Sequence, residues 1–294
     1  MMRAPGSIAT AVRKPDREIL IKTDPYVGLS KRYKVLDTPI LRGVITFFET
    51  LVIGIRALNF SANVAIAEHE KAEKGVDWER PQSKKITEGL LLVGIMALAF
   101  ALGIGIFFAL PLFLTEIMGL SKNALSFNIV AGIIRVGLFL AYLWAISQWK
   151  EIRRIFEYHG AEHKSVNAFE SGERLSVENL RKFSTHHPRC GTSFLLIVVL
   201  LAICLFAVAD TIVETMIGHR PFILQRFTTH FSLLPLLAGI SFELLKLSGK
   251  KRDNRYIRWL AAPGIWLQKI TTREPDDAQL EVAIVALKGA LGES

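Results

Sequence analysis

The chain has 294 residues, of which 51% are hydrophobic, and this is too apolar for an ordinary water-soluble domain. Its net charge of +9 raises nucleic acid as a partner, but the cations sit between apolar stretches, where membrane topology places them, and no RNA- or DNA-binding pattern accompanies them. The composition therefore excludes a nucleic-acid binder. It predicts a mainly α, polytopic membrane protein whose first partner is the lipid bilayer.

Residues 1–43 come first. Ile8 to Arg13 and Glu18 to Lys22 alternate about Lys14-Pro15-Asp16-Arg17, which predicts a small β-hairpin. Asp24-Pro25 and Thr38-Pro39 punctuate a linker. In residues 44–67, the apolar run Val44 to Ala67 is interrupted by Glu49, Arg56 and Asn59, which predicts an interfacial or re-entrant helix.

Residues 68–149 hold a cytoplasmic loop and the first transmembrane pair. Gly89 to Leu114 carries no charge, and Phe127 to Trp149 carries only Arg135. Residues 191–247 hold the second pair, Gly191 to Ile217 with Asp210 and Glu214, and the shorter Phe231 to Leu245 with Glu243. Arg135 and Asp210 lie at similar depth and are expected to form a buried ion pair. About four spans, with Lys and Arg concentrated in alternate connections, put both termini on the cytoplasmic side of a bacterial inner membrane. No cleavable signal is expected, because the first apolar stretch begins near Val44 after many charges.

Residues 248–294 read as cytoplasmic helices. Trp259 and Trp266 suit a membrane surface, and Glu274-Pro275-Asp276-Asp277 marks a helix start. Leu280, Ile284, Leu287 and Leu291 line one face of that helix, so it is expected to dock. Cys190 on the cytoplasmic side and Cys204 within a span predict no disulfide.

The chemistry concentrates in residues 150–190, a charged loop with four of the seven histidines. His159-Gly160-Ala161-Glu162-His163 has the H-x-x-E-H spacing that puts two imidazoles on one helix face beside a carboxylate. A helix over Lys150 to Glu170 points both histidines inward. Glu170 lies about 10 Å further along the axis from His163, too far to share one zinc with both histidines.

A third ligand is available from His186, His187 or Cys190. An extended chain from His187 to the membrane edge at Gly191 favours His187 on height. Ser176 as a helix cap and Pro188 beyond it fit a short returning helix. With zinc in place, Glu162 is the candidate general base and Arg189 the candidate stabiliser of an anionic intermediate. Cys190 is a ligand, a nucleophile or simply a packed thiol.

At these residues the chain resembles the YqhQ-like family of bacterial membrane proteins, described as predicted metal-dependent enzymes. The matching stretches are Tyr158-His159-Gly160-Ala161-Glu162-His163-Lys164, His187-Pro188-Arg189-Cys190-Gly191-Thr192-Ser193-Phe194, Leu41-Arg42-Gly43, Glu274-Pro275-Asp276-Asp277 and Gln279-Leu280-Glu281-Val282-Ala283. The resemblance implies His159, Glu162, His163, His187 and Cys190 as motif residues and leaves His186 outside. Family members open with a glycine-rich Gly-Gly-Gln-Ala-type segment ahead of the region corresponding to Met2-Arg3, which this chain lacks, so the hairpin is expected to be incomplete or the start assigned late.

The expected function is that of a divalent-metal enzyme, zinc by preference, hydrolysing a lipid-linked or membrane-peptide substrate at the cytoplasmic surface. The rival expectation is a non-enzymatic factor that assembles other membrane proteins.

Overall fold

The computed structural model describes residues 1–74, 82–119, 123–188, 190–250 and 255–293. In chain order the elements are β1 (Met2–Ala4), β2 (Gly6–Arg13), β3 (Ile19–Tyr26), α1 (Leu29–Arg32), α2 (Leu41–Lys74), α3 (Gln82–Ile104), a π-helical turn (Gly105–Ala109), α4 (Leu110–Met118), α5 (Ala124–Ile146), α6 (Lys150–Glu170), α7 (Val177–Arg181), α8 (Gly191–Ile217), α9 (Ile223–Ser232), α10 (Leu234–Lys250), α11 (Arg255–Thr271) and α12 (Asp277–Leu291). They divide into two compact units, one of Met1–Glu73, Leu143–Ile197 and Ala238–Ser294, the other of Lys74–Tyr142 and Val198–Leu237.

In the first unit the hairpin of β2 and β3 turns at Lys14–Arg17, where the Lys14 N–H donates to Glu18 at 2.9 Å. A third strand, β1, pairs antiparallel with β2 but covers only Ser7 to Ala9. Three residues are too few for alternation to register in the sequence.

α12 docks on this sheet and on α6 and α7. Leu280, Ile284 and Leu287 are buried with Met2, Ala9, Ala161, Ala168 and Leu180 in one core, each large side chain worth about 1.5–3 kcal/mol of burial. The start of α12 is fixed by a reciprocal cap, Gln279 N–H to Asp276 Oδ1 at 2.7 Å and Asp276 N–H to Gln279 Oε1 at 2.9 Å.

α2 is an unbroken helix of 34 residues. Near its start it crosses α10 so closely that a Cβ on Gly43 would lie 2.9 Å from the Gly239 carbonyl oxygen. Beside that crossing Arg42 grips Glu243 through two hydrogen bonds of 2.6 and 2.5 Å.

Among the described residues, four helices are long and apolar enough to cross a bilayer: Leu41–His69, Gly89–Met118, Ala124–Ile146 and Phe194–Ile217. The weakest expected span, Phe231 to Leu245, falls in α9 and α10, which are bent by 47° at Leu233 and together also meet the test. Pro235 accounts for the bend, since it has no N–H to donate and its ring clashes with the carbonyl four residues back.

In the second unit the expected Arg135–Asp210 pair does not form. Asp210 instead accepts from Arg226 Nη1 at 2.6 Å, His230 at 2.9 Å and Asn128 Nδ2 at 2.8 Å, all buried. Arg226 and His230 stand one turn apart on α9, so one helix face delivers both. Arg135 has a different anchor. Pro111 cannot donate to the carbonyl of Phe107, and the Nε–H of Arg135 donates to that freed oxygen at 3.0 Å while its guanidinium lies against Phe108 and Phe206.

A double-mutant cycle of Asp210→Asn with Arg226→Gln, read by thermal unfolding in detergent, should show a coupling of about 1–3 kcal/mol. The same cycle with Arg135→Gln should show less than about 0.5 kcal/mol. The reverse ranking would restore the Arg135 pairing.

Candidate metal centre

α6 places His159 and His163 four residues apart on one face, with ring centroids 4.4 Å apart. Both rings are oriented from behind. His159 Nδ1–H donates to the Thr271 carbonyl at 2.8 Å, and His163 Nδ1–H donates to the Thr185 carbonyl at 2.6 Å. A carbonyl only accepts, so each Nδ1 carries the proton and each Nε2 is left with its lone pair.

The Thr271 carbonyl is where it is because of Gly160. A Cβ there would run into the Arg273 carbonyl, so only glycine lets the segment after α11 lie against α6, where Arg273 N–H also donates to Phe156 at 2.9 Å. Buried Lys164 reinforces the contact by binding Glu274 at 2.6 Å, and Glu157 accepts from Gln279 Nε2 at 2.9 Å.

The third donor is Cys190. Its sulfur lies 3.2 Å from His159 Nε2. The ligand atoms of His159, His163 and Cys190 all lie within 4.8 Å of one another. Thr192 contacts the sulfur through its hydroxyl at 3.0 Å and its N–H at 3.4 Å.

Burial would push the Cys190 thiol up, yet the two imidazoles outweigh it and lower it to about 5. Burial likewise opposes charge on His159, but the sulfur and the Thr271 carbonyl prevail and raise its pKa. His186 moves the other way, lowered by burial and by His163.

His187 stands beside this trio. Its ring is 5.8 Å from that of His163, and its Nε2 is 3.5 Å from Glu170 Oε2. The expectation of an extended chain after His187 is where the height argument fails. Cys190 N–H folds back to the His187 carbonyl at 3.3 Å, a turn that brings the sulfur to the two histidines. Gln268 clamps the same residue, accepting from its N–H and donating to its carbonyl, both at 2.8 Å.

His186 turns to Ser184 instead, with Nδ1 3.2 Å from the hydroxyl. Arg189 lies outside the described residues. Ser176 caps α7 as expected, its hydroxyl accepting from Asn179 N–H at 3.3 Å.

Glu162 is half-buried and lines a groove of about 1070 Å³ together with His159 and Tyr158. The opposite wall is the small-residue face of α2, Gly54, Ala57, Ser61 and Ala65. The carbonyls of Thr271 and Thr185, the Thr192 contacts and the Gln268 clamp are absent from the sequence reading. Gly160 in mid-helix was their one visible trace.

In metal-free protein the rate of Cys190 alkylation by iodoacetamide should rise with pH through about 5, because only the thiolate reacts, and His159→Ala should move that midpoint up toward the ordinary thiol range. An unchanged midpoint in the variant would remove the imidazole as the cause. Gly160→Ala should cost about 1–3 kcal/mol of thermal stability, since the added methyl meets backbone that cannot rotate away.

The family described as "Protein of unknown function (DUF1385)" matches residues 38–293. An uncharacterized protein, YqhQ of Bacillus subtilis (strain 168), is 33% identical over 279 residues, covering 94% of this chain and 84% of its own length. No solved structure matches. A match over nearly the whole chain, with the paired histidines and the cysteine inside it, makes this chain a member of the DUF1385, YqhQ-like family of membrane proteins.

Proposed function

We propose that the chain is a metal-dependent hydrolase of the membrane surface, with zinc held by His159, His163 and Cys190. The observation that carries this reading is the paired Nδ1–carbonyl bonds, which aim two imidazole lone pairs and one sulfur at a common point. Ligand atoms of a four-coordinate zinc stand about 3.5 Å apart, given bonds of about 2.0–2.3 Å. The observed spacing fits with small adjustment, and two nitrogens with a thiolate are a donor set that suits zinc. Three protein ligands leave one position open, and an ion held so supplies Lewis-acid activation there.

The chain's own residues account for the proton. Glu162 follows His159 by three residues on α6 and lines the groove. It is placed to take a proton from an attacking water and to pass it to the leaving group. His187, clamped by Gln268 and facing Glu170, braces the trio from the side. Arg189 is the candidate for stabilising a developing anion.

A second reading rests on the 3.2 Å contact of Cys190 with His159, which also suits a thiolate nucleophile paired with an imidazole.

We infer the topology from parity. The sheet and α6 belong to one unit, so an even number of crossings separates them. Three apolar helices intervene, α2, α3 with α4, and α5. α2 lines the same groove as β2, α6 and α12, which supports α2 as the one that lies along the surface. Both termini then share one side, and the density of Lys and Arg there makes it the cytoplasmic one.

Elemental mass spectrometry of detergent-purified protein should find about one metal per chain, as a single mononuclear site requires. His163→Ala and Cys190→Ala should lose it, and His187→Ala should keep most of it. Glu162→Gln should keep the metal and lose hydrolysis by about 10²–10⁴-fold. Activity that survives chelation but not alkylation would favour the thiol reading. Absence of both metal and thiol-dependent activity would favour an assembly factor for other membrane proteins.

A further inference from the structure

We propose that the second unit holds a buried site for a small monovalent anion, of halide size, centred on the guanidinium of Arg135. This goes beyond the metal reading and does not depend on it.

Arg135 is the midpoint residue of α5, about 16 Å from either end of that helix at 1.5 Å per residue. From there its side chain is too short to carry the charge out of an apolar span. It turns inward instead and is only 6% exposed, with its Cζ 5.7 Å from the centre of the Phe108 ring and 5.3 Å from that of Phe206. A guanidinium has five N–H donors, and here the Nε–H is bonded to the Phe107 carbonyl that Pro111 frees. Among the described residues Nη2 is buried and meets no acceptor, and no carboxylate pairs with Arg135. The two rings attract the cation through their faces but bring no negative charge.

The charges around it do not cancel. Among the described residues, the buried cations of this unit are Arg135 and Arg226, and Asp210 is its one buried carboxylate. Both oxygens of Asp210 are engaged by Arg226, His230 and Asn128. Glu116 and Glu214 stand in the last turns of α4 and α8 and form no ion pair with Arg135 among the described residues. One carboxylate balances one guanidinium, so a full positive charge is left over. It falls on Arg135, the guanidinium that Asp210 does not touch.

An unbalanced charge at the middle of a span is unfavourable unless it is paired as well as hydrogen-bonded. Water would answer the N–H groups and leave the charge, whereas one monovalent anion answers both. Closure of the nest sets the size. A side chain walled by Phe108 and Phe206 and almost fully buried gives no entry to a lipid headgroup or to a partner's carboxylate.

The test uses the full chain in a non-ionic detergent, with sodium gluconate replaced stepwise by sodium chloride or bromide at constant ionic strength. The unfolding midpoint should rise saturably, by about 3–6 °C once chloride stands at ten times its Kd. The chlorine NMR line of the solution should broaden with the same Kd. Arg135→Gln should remove both effects and, in gluconate, should be at least as stable as the wild type, because the unbalanced charge is gone. Arg135→Lys keeps the charge but loses the planar fork, and should weaken halide binding by about tenfold. That variant keeps the test decisive if Arg135→Gln does not fold.

A midpoint and a line width both indifferent to halide would overturn the site and leave Arg135 to water. So would a halide response whose Kd is unchanged in Arg135→Gln or in Arg135→Lys, the behaviour of an ion bound elsewhere, at a metal for example.

Discussion

The close contact between α6 and the segment that follows α11 is the constraint on which the candidate site depends. Gly160 permits it by having no side chain where the Arg273 carbonyl lies. One step along, the Thr271 carbonyl reaches the His159 ring and sets its tautomer. Two charged contacts hold the approach, Lys164 with Glu274 and Arg181 with Asp277, and the cap of α12 follows at once. The tail therefore orients the His159 ring as well as covering the sheet. Loosening α12 would reach the imidazole through a path of only a few bonds.

Much of this was legible because it is local. The helix over Lys150 to Glu170, the Ser176 cap and the start of α12 each follow from spacing and end chemistry within a single turn. The H-x-x-E-H pattern fixes which face two histidines share. What escaped is non-local or depends on a turn. Whether His187 or Cys190 meets the pair hinges on the fold-back between them, and Pro188 does not by itself say that the chain reverses there. The partner of Asp210 was misread for a related reason. Depth along a helix compares Arg135 with Asp210, but Arg226 sits after a loop on α9, outside both apolar stretches. Its role depends on which way a short helix faces, and that comes from packing against Phe127.

The two buried polar clusters make an instructive contrast. Around Asp210 the carboxylate is saturated, one oxygen taken by His230 and the other shared by Arg226 and Asn128. His230 is stacked on Phe206 with centroids 4.0 Å apart, and Arg226 lies 3.6 Å above the Phe127 ring. Both carboxylate oxygens there face donors, which is how a bundle keeps charge in an apolar setting while holding helices in register.

The trio of His159, His163 and Cys190 is arranged on the opposite principle. Its donors are used up on the outside, by the Thr271 and Thr185 carbonyls, so that what converges inside is lone pairs. Three electron-rich atoms within 4.8 Å repel one another unless a proton or a cation lies between them. In the absence of a cation a proton is held between sulfur and imidazole, and this is why the thiol is pulled down while His159 is pushed up. A fold selected only for stability has a simpler solution at hand, the saturated pairing it already uses around Asp210. That it instead aims acceptors at one another, on a helix braced by its own tail and beside an open groove, is the physical reason to read this site as built for an electrophile.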